Sequence, residues 1–289
     1  MESSPSKQIE SLVPDIYALL GGESPLSEED VDGIAEEIKR VLKMRLVAKK
    51  EARKTLSMSS VGSACWRQLW YKEHKPELLE ELPPHTKLKF MYGDIIECLL
   101  LGLAKATGHK VTGEQDTLEL HGVEGHRDAV IDGVTVDVKS ANSRSFLKFK
   151  NHELDKNDPF GYRDQLSCYV EAAEDGVDKT RGAFLALDQE LGHIVLDVYD
   201  KRSKDYKKQI EEMQAMLAKD TPPPRPFEDE EDGKSGNKVI PLNCRYCVAK
   251  EDCWKDVNNG RGLLKYVYSN GPRWFTRVVR EPNPKVREF

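Results

Sequence analysis

Asp132-Gly133 stands between two short alternating runs, Ala129-Val-Ile131 and Val134-Thr-Val136, and no other stretch of the chain limits the fold so tightly. Asp-Gly in that setting is a two-residue hairpin turn. Closing the ladder pairs Ile131 with Val134 and Ala129 with Val136 on one face, and Val130 with Thr135 and Asp128 with Asp137 on the other. The two acids then stand opposite each other with Cβ atoms roughly 5 Å apart. At that separation like charges repel, so the pair needs a cation, a proton or a basic side chain. Lys139, two residues beyond Asp137, shares that strand face.

Two carboxylates and a lysine on one face suit a hard divalent cation such as Mg²⁺ or Mn²⁺, which takes oxygen ligands and lowers the pKa of a bound water. An Asp-x-Lys tripeptide alone is common by chance, and an ion-paired surface hairpin is the alternative reading. The opposed Asp128 favours the cation. Upstream, residues 90–103 read as a largely buried helix interrupted by Glu97. A carboxylate held there needs a partner, a proton or a cation, which makes Glu97 a third candidate ligand. Gly93, one turn earlier on the same face, leaves room for another backbone or a ligand.

These residues resemble the PD-(D/E)XK nuclease superfamily in its RecB-like branch. The likeness rests on Gly125-x-x-Asp128, on Asp137-Val138-Lys139, on Gly93-x-x-x-Glu97 and on Gln165-x-x-x-Tyr169 downstream. Spaced by four, Gln165 and Tyr169 share a helix face, and the resemblance implies that they place a DNA backbone near the metal. It implies that Glu97, Asp128, Asp137 and the Val138 carbonyl hold one or two divalent ions, and that Lys139 positions the attacking water. It also implies DNA as partner and exonuclease rather than endonuclease action. The rival from another class is a DNA-binding recombination or CRISPR-adaptation partner whose nuclease site is vestigial.

Cysteines form a second constellation. Cys244-x-x-Cys247 is followed by Cys253, and Cys65 is the candidate fourth ligand although it lies far upstream. Four thiolates suit either a structural zinc or an iron-sulfur cluster, and spacing does not separate them. The lone Cys followed by a C-terminal triplet resembles the iron-sulfur nucleases of the CRISPR-adaptation and helicase-nuclease types, which implies a 4Fe-4S cluster acting as a structural staple. Cys98 and Cys168 read as small buried hydrophobes.

The expected architecture is an α/β fold with a mixed central sheet flanked by helices and a C-terminal Cys-rich iron-sulfur subdomain. Strands are expected near 111–119, 126–131, 134–139, 182–188 and 193–199. Residues 1–55 are expected to form an N-terminal arm and a basic helix, 56–220 a nuclease core, 221–239 a Pro-rich and acidic linker, and 240–289 the Cys-rich segment with a basic tail. Within the arm, residues 1–30 read as loosely ordered, with at most one short helix. The formal net charge of -6 does not favour a polyanion partner if spread evenly. Basic residues are concentrated, however, in Lys39, Arg40, Lys43, Arg45, Lys49, Lys50, Arg53 and Lys54, and again in Arg273, Arg277, Arg280, Lys285 and Arg287. Ile34, Ile38, Val41 and Leu42 would seat the first group's helix on the core with its basic side outward. The chain has no apolar run near membrane length and no signal-peptide core, so a cytoplasmic location without membrane contact is expected.

Overall fold

The computed structural model describes residues 7–23, 25–47, 56–269 and 271–283. The chain divides into two units, one built from Met1–Ser63 with Pro83–Glu211 and the other from Ala64–Leu82 with Glu212–Phe289. In chain order the helices are α1 (Leu12–Leu20), α2 (Glu28–Leu46), α3 (Met58–Val61), α4 (Trp66–His74) and α5 (Pro84–Ala106). Strands β1 (Val111–Thr112), β2 (Thr117–Leu120), β3 (Val123–His126), β4 (Ala129–Ile131) and β5 (Val134–Ala141) follow. Then come α6 (Ser143–Lys150), α7 (Tyr162–Ala172), β6 (Arg181–Asp188), β7 (Ile194–Asp200) and α8 (Tyr206–Leu217).

The first unit is a mixed sheet in the order β1-β4-β5-β6-β7, with β5 and β6 parallel and the other neighbours antiparallel. This is the α/β architecture expected from the pattern. Alternation along the strands sends Val134, Val136 and Val138 into a core with Ile96, Leu100, Leu12 and Ile16. Phe184 and Ala186 face the opposite way, into a second core with Phe146, Phe149, Leu166 and Val170. Helices α1 and α5 therefore serve one side of the sheet and α6 and α7 the other.

Three expectations need correction. First, the N-terminal arm is not loose: Ile9, Leu12 and Ile16 are spaced to share one helix face, and all three are buried in the first core. His109, with its side chain fully buried, ties that helix to the hairpin. Its Nε2 lies 3.0 Å from Asp15 Oδ2 and its Nδ1 2.5 Å from Asp132 Oδ2.

Second, the strands expected at 111–119 and 126–131 are each split between two sheets, β2 and β3 forming a hairpin of their own. The buried Arg127 causes the break. Its backbone N–H donates to Asp116 O, and its guanidinium donates to Gly113 O, Asp116 and both oxygens of Glu174. Periodicity cannot show a strand interrupted by a cation that faces inward. Two helices, α6 and α7, separate β5 from β6. Third, the buried residues of α5 all lie in its second half, between Ile96 and Ala104, and even there Leu99 is exposed, as are Phe90 and Tyr92 in the first half.

The apolar stripe of α2 lies as expected, with Val41 buried and Ile34 against Gly102. Lys39, Arg40 and Lys43 are exposed, although Lys39 and Arg40 pair with Glu36 and Glu37. Lys49, Lys50, Arg53 and Lys54 fall outside the described residues, as do Lys285 and Arg287.

The second unit holds α4, β8 (Glu230–Glu231), β9 (Lys238–Val239), α9 (Leu242–Arg245), α10 (Lys250–Cys253), β10 (Leu264–Tyr268) and β11 (Gly271–Arg277). Its sheet runs β10-β11-β9-β8. The stretch expected to be a linker supplies β8 to this sheet and is held by its acids. Asp229 accepts from Lys238 and Thr276, Asp232 from Arg273, and Arg225 pairs with Asp256 over the Trp254 ring. The tail arginine Arg273 is accordingly engaged within this unit. No helix among the described residues is long and apolar enough to cross a membrane.

Candidate metal and nucleic-acid site

The hairpin forms as the sequence requires. Asp132 and Gly133 both have positive φ, 49° and 83°, and the ladder pairs Ile131 with Val134, Val130 with Thr135 and Ala129 with Val136. Asp128 lies one residue before β4, and its Oδ2 accepts from the Val138 backbone N–H at 2.7 Å. Asp137 is buried in β5 and its Oδ2 lies against the Lys139 ammonium. That oxygen has no well-aligned hydrogen bond, so the contact is one of charge. Glu97, from α5, accepts from Gln115 Nε2 at 2.6 Å.

Burial, the neighbouring Asp94 and Asp137 push the Glu97 carboxyl up to about 7, against the smaller opposing effect of the Gln115 bond. Asp128 is pushed well above the ordinary carboxylate range, first by burial and then by Asp137 and Glu97. For Lys139 burial acts downward, but Asp137 and Asp128 more than offset it and hold the ammonium above its ordinary value. Glu97 and Asp128 thus both feel the charge of Asp137, and Asp128 that of Glu97 as well, in line with the opposed pair that the hairpin predicts.

Glu97, Asp128, Val138 and Lys139 line one cleft of about 490 Å³ in the first unit. Arg45, Lys89, Lys148, Phe90 and Phe160 are among the other lining residues. Gly93 lines it too, but a Cβ there would meet only Ser140 Oγ at 3.4 Å, an ordinary contact. In chemical type the acids suit a hard divalent cation. As placed, Glu97 and Asp128 each accept a protein hydrogen bond and Asp137 is paired in charge with Lys139, and among the described residues no group of three or more His, Cys, Asp or Glu side chains is arranged to hold a metal ion.

Gln165 and Tyr169 share the α7 face, with Gln165 Nε2 3.3 Å from Tyr169 Oη. Tyr169 is buried, and burial with the nearby Asp137 raises its hydroxyl pKa. The ring lies against the first residue of the Gly-x-x-Asp element: a Cβ at Gly125 would fall 2.8 Å from Tyr169 Cε1 and 2.8 Å from Met58 Cβ. Two motifs far apart in sequence are therefore in contact through a glycine, Gly125 meeting Tyr169.

Sequence reasoning missed two supports of this site. Arg45 makes a two-pronged ion pair with Asp94, through Nε at 2.5 Å and Nη2 at 2.9 Å, and so fixes α2 beside Glu97. Asp94 was legible only as a residue one turn from Glu97 on the same helix. Arg127 was the other, since its fixed side chain sets the position of Asp128 next to it.

Cys65, Cys244, Cys247 and Cys253 all belong to the second unit, Cys65 at the start of α4. The Cys247 N–H donates to Cys244 O in a tight turn, and Arg67 Nε donates to Cys253 Sγ at 3.2 Å. Burial raises the Cys65 thiol, pushes Cys247 up to about 11 and Cys244 up to about 12. Negative charge on Cys247, Cys65 or Cys253 would raise Cys244 further. The set fits a thiolate-bound centre in donor type, while its spacing in this structure falls under the same negative finding as the acids. Cys98 and Cys168 are buried, as small hydrophobes should be.

No family model matches the chain, and no match is found among curated proteins. Among solved structures, the chain described as "Crystal structure of SSO0001" aligns over 74% of this chain and 92% of its own length, with 16% identity and a TM-score of 0.41.

Proposed function

We propose that the chain is a metal-dependent DNA nuclease with a RecB-like PD-(D/E)XK site, and an exonuclease rather than an endonuclease. The observation that carries this reading is the cleft itself, where Glu97 and Asp128, both raised by burial and by the charge of Asp137, open beside Lys139. Acids gathered in that way are stabilised by a cation. Glu97, Asp128, Asp137 and the Val138 carbonyl would hold one or two Mg²⁺ or Mn²⁺ ions, which when bound supply charge neutralisation at phosphate and a more acidic water. The chain's own contribution is positional. Lys139 presents a fixed positive charge, Asp137 anchors it, and Gln165 with Tyr169 faces the same strand from α7.

The exonuclease preference comes from the family resemblance alone. The four cysteines would bind a 4Fe-4S cluster, or zinc in its place, closing Ala64–Leu82 onto the remainder of the second unit. A DNA-binding partner with a vestigial site is the competing reading, favoured by the protein partner that each acid already has. Incubating the purified chain with end-labelled single- and double-stranded DNA and Mg²⁺ or Mn²⁺ separates them. Cleavage by the wild type and none by Asp137→Ala is the expected result, and full cleavage by Asp137→Ala would overturn the assignment.

A further inference from the structure

Phe160 and Phe90 are exposed at 61% and 50% of their surfaces. They belong to different elements, the turn before α7 and the first half of α5, yet both line the cleft that holds Glu97, Asp128 and Lys139. Exposed aromatics scattered singly need no explanation; two converging on one cleft are informative. The charges around them are also specific. Lys89 and Lys148 line the same cleft, and Asp158, an acid on its wall, is already used in accepting the Tyr162 and Arg163 backbone N–H groups at the start of α7.

Rings and ammonium groups are connected. Phe160 lies 5.5 Å from the Tyr162 ring, tilted by 33°, and Lys139 Nζ lies 5.1 Å from the centroid of that same Tyr162 ring. An occupant stacked on the outer face of Phe160 is therefore two ring contacts from the ammonium beside the acids. A π face flanked by cations suits a flat heteroaromatic ring joined to phosphate.

We propose that Phe160, with Phe90 lining the same cleft, forms a stacking subsite for one unpaired nucleotide base, with Lys89 and Lys148 on the flanking phosphates. The proposal rests on the nuclease reading for the identity of the ligand and deepens it, because a base inside a duplex is stacked on its neighbours and has no open face to offer. The site thus selects unpaired over paired nucleotides by the base itself, independently of base identity, since every base has a π face.

The test uses the full chain without added divalent cation, and fluorescence anisotropy with three labelled probes: a single-stranded oligonucleotide, the same strand with consecutive abasic residues, and a blunt duplex. The abasic strand keeps every phosphate. Wild type should bind the intact strand about tenfold more tightly than the abasic one, the usual scale for one stacked base. Phe160→Ala should bring that ratio close to one, and Phe160→Trp should restore it. Equal affinity of wild type for intact and abasic strands, or an undiminished ratio in Phe160→Ala, overturns the subsite. Duplex binding with the same dependence on Phe160 overturns its selectivity for unpaired bases. Cleavage with Mn²⁺ is measured separately, so that a base preference without cleavage sinks only the nuclease reading, and cleavage without base preference sinks only the subsite.

Discussion

Replacing Glu97 by Gln removes one of three interacting carboxylates while keeping the shape of the side chain and the bond to Gln115. The folded protein holds the Glu97 proton up to about pH 7, whereas the ordinary value for such a group is 4.5. A pKa raised in the folded state means that the contribution to stability is complete below the unfolded value and is lost as pH rises through the folded one. Between 4.5 and about 7, at about 1.4 kcal/mol per pH unit, the loss is on the order of 3 kcal/mol. Asp128 shifts in the same direction from burial and from Glu97, so removing the Glu97 charge also eases its ionisation.

Amide hydrogen exchange in β5, without added divalent cation, reports opening of the first unit independently of the second. The stability of Glu97→Gln relative to wild type should increase by about 3 kcal/mol from pH 4.5 to pH 8, rising steadily between 4.5 and about 7 and levelling off above that. A difference that stays flat over that range refutes the claim that Glu97 is held among like charges. A difference that falls with pH would mean that the carboxylate is stabilised by a cation of the protein itself, with Lys139 as the first suspect.

Other substitutions probe the remaining parts. Gly125→Ala places a methyl group 2.8 Å from Tyr169 and Met58, which costs about 1–3 kcal/mol; thermal melts should show a lower Tm, and unchanged stability would mean that the two motifs do not truly press together. Lys139→Ala should slow DNA cleavage by about 10²- to 10³-fold while calorimetric titration shows Mn²⁺ affinity intact or improved, and a collapse of that affinity would assign Lys139 a structural role. Anaerobically purified protein should be brown with about four iron atoms per chain. Cys65→Ser and Cys247→Ser should each lose the colour, Cys98→Ser and Cys168→Ser should keep it, and full metal content in Cys65→Ser would reject the four-ligand set.

The hairpin was legible because its signal is local: Asp132-Gly133 with alternation on each side fixes turn type, register and facing residues within ten positions. The contact between Gln165 and Tyr169 is local as well, one helical turn apart. What escaped the pattern depends on the interior. Arg127 is charged and yet has its side chain buried, so alternation carried the expected strand straight through it. The arm at residues 7–20 was misread for the opposite reason: Ser, Pro and acids surround Ile9, Leu12 and Ile16 and hide a buried helix face in a polar composition. The proline-rich and acidic stretch around Asp229 and Asp232 failed similarly, since its acids find cations within the second unit, a pairing that composition cannot display.

The electrostatic balance at Lys139 narrows what that side chain can do. A lysine acting as general base must lose its proton near neutral pH, which calls for burial away from negative charge. Here burial is present, but Asp137 lies against the ammonium and Asp128 adds to its effect, so the proton is held more firmly than in water. Stacking over the Tyr162 ring favours the cationic form further. Without a bound cation, then, the surrounding carboxylates disfavour Lys139 as the base that deprotonates a water. A permanent positive charge, fixed by Asp137 and placed on the wall of the cleft, can offset negative charge that develops on a phosphate as its geometry changes. By the same reasoning Asp137 serves two partners at once, so substituting it disturbs the lysine as well as any cation, and the effects of Asp137 and Lys139 variants should not add.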